Sequence, residues 1–409
     1  MIDKKAIYHL PNKLNMKNKG VNRRDFLRLS ATVGAGAILI PEVTASTLSK
    51  SNLKTNEIPL RTLGRTGIKL PILSMGVMRA DNPNVLRAAY NSGIFHFDTA
   101  HVYQNGRNEE MVGAFFQGKP RDTYFIGTKV KFDYPLKENF EQDFADKTEV
   151  SLKRLKMDYV DIFYAHACDT VEEVKEPRVL AALEKIKADG KTRFIGFSTH
   201  ANKPAQIHAA VDAGIYDVIL LSYNFKLNNL KETNEAIERA AKAGIGIVAM
   251  KTMTGAKEDA EGNKKVNAQA CLKWAWNNEY ITTAIPGFTN YDELDECLLA
   301  AKSPELTNGD QEYLASLLDK EMLYCQQCEQ CKTQCPENLP IPDMMRAYMY
   351  AYGYRNSQLS KETLLELNFS PDACTNCDTC HVECPSGFNV ARKIAAITPV
   401  MNIPNEFLT

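Results

Sequence analysis

Eight short apolar segments recur through the middle of the chain, and their alternation with amphipathic stretches limits the fold more than any other feature. They are Ile72–Val77, Ile94–Phe97, Tyr124–Thr128, Tyr159–Tyr164, Arg193–Phe197, Asp217–Leu221, Gly246–Met250 and Ile281–Ile285. Each is too short for an isolated helix, and most lack polar alternation, as strands buried on both faces require. Between them the period becomes helical. Val179, Leu180, Leu183 and Ile186 share one face of a stretch over Val174–Ala188, and Asn234–Ala243 reads the same way. Eight such strand–helix units predict an α/β chain closed as a (β/α)8 barrel. A doubly wound open sheet is the rival. It is weakened because Gly64 and Gly67 form no Gly-x-Gly-x-x-Gly turn between a strand and a helix. Leu63–Leu70 reads instead as a hairpin with glycine at its turn.

Three of these strands end in ionisable groups. Ile94–Phe97 runs into Asp98, Tyr124–Thr128 into Lys129, and Tyr159–Tyr164 to His166, with Tyr103 just past the first end. A lone Lys or His in such a place is usually a satisfied structural residue. Three successive strand ends supplying an acid, an amine and an imidazole point to a site, because active sites of parallel barrels sit at that rim.

A chain of 409 residues exceeds one ordinary domain, and its last hundred residues change character. Cys325-x2-Cys328-x2-Cys331-x3-Cys335-Pro336 is followed, 38 residues on, by Cys374-x2-Cys377-x2-Cys380-x3-Cys384-Pro385. Disulfides poorly explain a repeated spacing that ends in Cys-Pro, and zinc sites use two cysteine pairs across a longer gap. Four thiolates on a tight turn suit one iron–sulfur cubane. The intervening Ile341–Arg355, with Met344, Met345, Tyr348, Met349 and Tyr352, reads as an amphipathic helix packing on the clusters or the barrel. Ser360–Asn368 reads as a second helix, and Thr307–Tyr324 as one before the cysteines. The remaining Cys168, Cys271 and Cys297 read as buried small hydrophobes, with Cys168 alternatively at the substrate mouth.

Taken in order, L-G-R-T-G-I-K-L at 63–70, D-T-A-H-V-Y at 98–103, the Lys129 and His166 strand ends, G-F-S at 196–198, Y-N at 223–224 and I-P-G-F at 285–288 resemble the aldo-keto reductase superfamily. The resemblance implies a TIM barrel and places Asp98, Tyr103, Lys129 and His166 on that family's catalytic tetrad. The chemistry agrees. Tyrosine, with a pKa near about 10, is a poor acid at neutral pH unless an ammonium such as Lys129 favours the phenolate. Asp98 would hold Lys129, and His166 would align a carbonyl oxygen. The resemblance also implies NADP or NAD, with Gly76, Val77 and Ser198 at the nicotinamide end and Gly287 and Phe288 near the adenine. Met250 stands where a ring usually stacks on the nicotinamide. Lys251 is a cation on the same wall, whereas Glu293 replaces an arginine common in NADP-binding members, so the choice between dinucleotides stays open.

The cysteine runs resemble bacterial two-cluster ferredoxins, in which the fourth cysteine of each run serves the other cluster. That implies two 4Fe–4S clusters, one on Cys325, Cys328, Cys331 and Cys384, the other on Cys374, Cys377, Cys380 and Cys335. The helical linker favours a mainly helical ferredoxin-like domain, as in succinate-dehydrogenase-type iron–sulfur subunits. A barrel followed by such runs is similar to an iron–sulfur subgroup of the superfamily.

The N-terminus lies outside this scheme. Asn22-Arg23-Arg24-Asp25-Phe26-Leu27, an apolar run Ala31–Ile40 and Val43-Thr44-Ala45 resemble a twin-arginine export signal. The apolar run is shorter than the roughly 20 residues needed to span a bilayer, so the mature chain is expected to lack a transmembrane segment. The expected layout is 1–45 signal, 46–57 linker, 58–305 barrel and 306–409 cluster domain, with a periplasmic destination. Net charge is −1 with no basic stripe, which argues against nucleic acid. Two functions are compatible with these features: a carbonyl/alcohol oxidoreductase with a small-molecule substrate and a redox partner protein, or an electron-transfer or docking protein with a silent barrel.

Overall fold

Strands β3 (Met75–Gly76), β4 (His96–Asp98), β5 (Phe125–Val130), β6 (Val160–Ala165), β7 (Thr192–Thr199), β8 (Val218–Ser222), β9 (Gly246–Met250) and β10 (Ile281–Ala284) lie side by side in chain order, all parallel. A parallel bridge between Leu73 and Ala284 joins the two edges. The Ser74 and Gly76 amides complete the join by donating to Ala284 and Pro286 carbonyls at 2.9 and 3.0 Å. Glycine is needed there: a Cβ on residue 76 would stand 2.7 Å from the Ile285 carbonyl oxygen. The result is the (β/α)8 barrel that the apolar segments predicted.

This computed structural model describes residues 57–253, 265–318, 325–367, 369–372, 374, 377 and 380–408. The twin-arginine segment and residues 46–56 lie outside the described residues, as do the end of the helix expected over Thr307–Tyr324 and Asn368, the end of that expected over Ser360–Asn368. Barrel and C-terminal region fall in one compact unit.

The hairpin of β1 (Leu60–Thr62) and β2 (Lys69–Pro71) pairs antiparallel and plugs the barrel's lower end. Its Leu63, Ile68 and Leu70 pack against Ile162, Val218, Leu220 and Val248 inside the barrel. Leu63 and Leu70 are fully buried, so truncating either to alanine would cost about 2–5 kcal/mol. The helix expected over Val174–Ala188 is two, Val171–Lys175 and Pro177–Ala188. Pro177 has no amide hydrogen to give and holds Glu176 extended, which ends the first helix.

In the C-terminal region the regular elements are helices at Asn308–Ser316, Ile341–Tyr348, Ser357–Glu366 and Val390–Ile397. The expected helix over Ile341–Arg355 turns at Met349–Gly353 into a π-helical turn. Met344, Met345 and Met349 are buried as the apolar stripe predicts, but Tyr352 is 44% exposed. Among the described residues no helix is long and apolar enough to cross a membrane.

Candidate active site

Asp98 is the last residue of β4, Lys129 lies near the end of β5, and His166 follows β6, so all three reach the same rim. Lys129 Nζ donates to Asp98 Oδ1 and to the Thr99 carbonyl, both at 2.5 Å. The same ammonium lies 4.8 Å from the centre of the Tyr103 ring. His166 meets Tyr103 edge-on, with centroids 5.9 Å apart. The structure therefore brings the four predicted residues together. The loop carrying Tyr103 is strained, because Gln104 and Asn105 both have left-handed φ, 51° and 54°. Gln104 Nε2 donates to Met78 and Ala80 carbonyls, and Asn105 Nδ2 to Glu362 Oε1, which hold the loop in that conformation.

Burial dominates the electrostatics. It pushes the Asp98 carboxyl up and the Lys129 ammonium down, and their mutual attraction opposes both shifts. His166 is pushed well below the ordinary imidazole range by burial and then by the Lys129 charge, so its ring is neutral. The expected lowering of the Tyr103 phenol does not occur in this geometry. Burial, then the Asp98 charge, push it well above the usual tyrosine value. The Lys129 ammonium gives its hydrogen bonds to Asp98 and Thr99 and faces the ring.

Asp98, Tyr103 and His166 border a cavity of about 820 Å3, with Lys129 buried behind them, a size that suits a small-molecule or cofactor site. Gly76, Met250, Lys251 and Gly287 line it as the resemblance implied; Val77, Ser198 and Phe288 do not, being fully buried in the wall behind. Ser198 Oγ accepts the Ala167 amide at 2.9 Å and supports the loop beside His166. Glu293 also lines the cavity, tied to Lys265 at 2.5 Å. Among the described residues, His166 Nδ1, Thr252 Oγ1 and Asp98 Oδ2 are buried without a partner. Orphaned polar atoms, glycine backbone and cations on one cavity wall fit a dinucleotide.

The cavity has a roof that sequence reasoning missed. Arg346, Tyr350, Gly353 and Tyr354 of the C-terminal region line it opposite the rim. Arg346 Nη2 reaches Asp169 Oδ2 at 3.3 Å, the Arg79 guanidinium lies 5.0 Å over the Tyr354 ring, and Lys131 Nζ donates to Glu366 Oε2 at 3.2 Å. The aromatic run at 348–354 was the available signal. Of the three other cysteines all are buried, but only Cys297 lines the cavity; Cys168 does not.

All eleven cysteines are free of disulfides. Burial pushes the Cys325 thiol up to about 12, against a hydrogen bond from the Gln327 amide to its sulfur at 3.3 Å; the charges that add to the shift are those of Cys384, Cys328 and Cys331. Burial likewise raises Cys374, and its charged neighbours are Cys377, Cys335 and Cys380. The fourth cysteine of each run thus lies within electrostatic reach of the other run. Gln327 and Glu329 take left-handed φ of 51° and 62°, the backbone alternation that turns amides toward an anion. This loop fits a cubane, in which each iron takes one thiolate. Among the described residues no group of three or more His, Cys, Asp or Glu is placed to hold a single metal ion.

Residues 69–263 match the aldo/keto reductase family, and residues 324–389 match a 4Fe-4S dicluster domain. The L-galactose dehydrogenase of Arabidopsis thaliana is 26% identical over 306 residues, 64% of this chain and 93% of that one. The L-glyceraldehyde 3-phosphate reductase of Escherichia coli O157:H7 is 25% identical over 302 residues, 59% of this chain and 86% of that one. The solved holo form of an aldo-keto reductase from Bacillus halodurans superposes with a TM-score of 0.53 at 20% identity, over 64% of this chain and 96% of its own, a likeness of fold. The chain therefore carries an aldo/keto reductase domain followed by a 4Fe-4S dicluster domain, an iron–sulfur oxidoreductase of the aldo-keto reductase type.

Proposed function

We propose that the chain interconverts a small carbonyl compound and its alcohol, and that it is exported by the twin-arginine route and works in the periplasm. The observation that carries the chemistry is the meeting of Tyr103, Asp98 and His166 on one wall of a roofed cavity, with Lys129 buried against Asp98 and the Tyr103 ring. Bound nicotinamide dinucleotide would supply or accept the hydride, and two 4Fe–4S clusters would carry single electrons to or from a partner protein. Gly76, Met250, Lys251, Thr252 and Gly287 would hold the dinucleotide; Glu293 disfavours a 2′-phosphate, while Lys251 and Lys265 favour one.

The chain's own residues account for the proton. In the reducing direction the Tyr103 hydroxyl donates its proton to the substrate oxygen, and in the oxidising direction the phenolate accepts it. Neutral His166 donates a hydrogen bond to that oxygen and fixes its position. Asp98 keeps Lys129 charged and in place beside the phenol. The roof tyrosines Tyr350 and Tyr354 limit water around the reacting groups.

One observation favours the second reading, an electron-transfer or docking protein with a silent barrel: the Lys129 ammonium gives its hydrogen bonds to Asp98 and Thr99 and faces the ring of Tyr103. Tyr103→Phe separates the two. The protein, purified anaerobically, is given NADH or NADPH with a panel of small aldehydes and ketones, and NAD or NADP with the matching alcohols. Loss of turnover with an unchanged cluster spectrum supports the enzyme. Turnover equal to the parent's, or none in the parent with any carbonyl or alcohol tried, removes it.

A further inference from the structure

At and behind the cavity wall three cations, Lys203, Lys251 and Arg346, gather around one carboxylate, Asp169. Lys203 opens the helix Lys203–Ala213, yet it is 2% exposed. Its Nζ lies 3.4 Å from the backbone carbonyl oxygen of Gln326, inside the first cysteine loop. Lys251 and Arg346 share this space, and Cys325 is close enough for its charge to act on both lysines. The carboxylate acting on the two lysines is Asp169. It is already engaged by the His200 and Ala201 amides at 2.6 and 3.2 Å and by Arg346 Nη2. A buried ammonium that donates to a neutral carbonyl is costly unless an anion answers its charge.

A cubane held by four thiolates is such an anion, and it becomes more negative when it takes up an electron. The second cysteine set differs: among the described residues the charges that act on Cys374 are those of other cysteines, and Cys377 and Cys380 are exposed.

We infer that Lys203 is the fixed counter-charge of the inner cluster, the one on Cys325, Cys328, Cys331 and Cys384, and that it selectively raises that cluster's reduction potential. The inner cluster is then the electron acceptor nearest the barrel mouth, and the cluster on the exposed cysteines faces the partner. On reduction one electron enters the inner core, no bond breaks, and the added negative charge is met by the Lys203 ammonium. The inference needs the clusters but not the carbonyl chemistry, and its readout is a potential, so absence of turnover leaves it standing.

The test is a dithionite titration of the full-length, anaerobically purified protein followed by electron paramagnetic resonance, with Lys203→Met and Lys203→Arg beside the parent. In the Met protein one of two one-electron midpoints moves down by about tenfold in reduction constant, ~59 mV, and the other stays. The Arg protein keeps both. Loss of iron in the Met protein alone supports the same conclusion. Unmoved midpoints with full iron and sulfide content, midpoints that move together, or equal iron loss in both variants would overturn it.

Discussion

The two ends of the barrel treat buried charge in opposite ways. At the lower end Asp161 is fully buried and accepts from Arg121 Nη2 at 2.7 Å, Arg193 Nη1 at 2.9 Å and the Ile126 amide at 2.8 Å. Asp217 is engaged as fully, by Arg65 Nε at 3.1 Å, Lys187 Nζ at 2.6 Å and the Ile195 amide at 3.1 Å. At the upper end Asp98 keeps one oxygen unpartnered, and His166 and Thr252 each keep a polar atom unpartnered. Both ends bury polar groups at a cost; the lower-end carboxylates recover it within the protein, although Arg121 Nε beside them stays unpartnered, whereas the upper-end carboxylate does not. The upper end leaves groups for a ligand to satisfy, which is how a binding face differs from a structural one.

That division can be broken by mutation. Tyr103→Phe is expected to lower turnover by about 10²–10⁴-fold, the usual worth of a placed acid or base, with the melting temperature nearly unchanged. Asp161→Ala should do the reverse. Removing one partner of a buried charge cluster costs about 3–5 kcal/mol, seen as a lower melting temperature by far-ultraviolet circular dichroism, while kcat of the folded fraction holds. If both substitutions affect the same quantity, the two ends do not differ in role.

Acid sharpens the contrast. Burial, then Lys129, pushes His96 down to about 3, and burial, then Lys251, does the same to His200. Their folded-state values lie below the unfolded one, so the unfolded chain binds more protons through this window. The stability is fully present above about pH 6.5 and is lost as pH falls toward 3, by about 1.4 kcal/mol per pH unit for each histidine. Unfolding midpoints at pH 7.5 and 5.5 should differ accordingly, with a shallower slope in His96→Phe. Equal midpoints would mean these imidazoles are solvated. The smallest effect concerns the roof. Tyr350→Phe removes one hydroxyl facing Tyr103 and is expected to raise KM about fivefold, roughly 1 kcal/mol, at unchanged kcat. A change in melting temperature alone would make Tyr350 a packing residue.

The barrel was legible because each strand is an apolar run with its own boundary, and Asp98, Lys129 and His166 were legible as polar interruptions of those runs. Cysteine spacing was legible because ligand geometry is local. Arg346, Tyr350 and Tyr354 were hidden, since their place depends on how one body seats on the other. The π turn at Met349–Gly353 adds to this. It takes more residues per turn than an α-helix, which rotates the later side chains away from the α pattern. Tyr352, counted on the apolar stripe, lies at the surface, while Tyr350 and Tyr354 line the cavity. Val77, Ser198 and Phe288 were placed by resemblance, which gives position along the chain but not whether a side chain reaches open space.

The ceiling of the chamber hangs from the segment that directly follows Cys335 and Pro336, with Arg346 and Tyr350 on it. The first cysteine run and the pocket's roof are thus tied together by a short stretch of backbone. Metal-free protein is expected to enclose a small ligand less well, and weaker retention in equilibrium dialysis would have an architectural cause as much as a redox one.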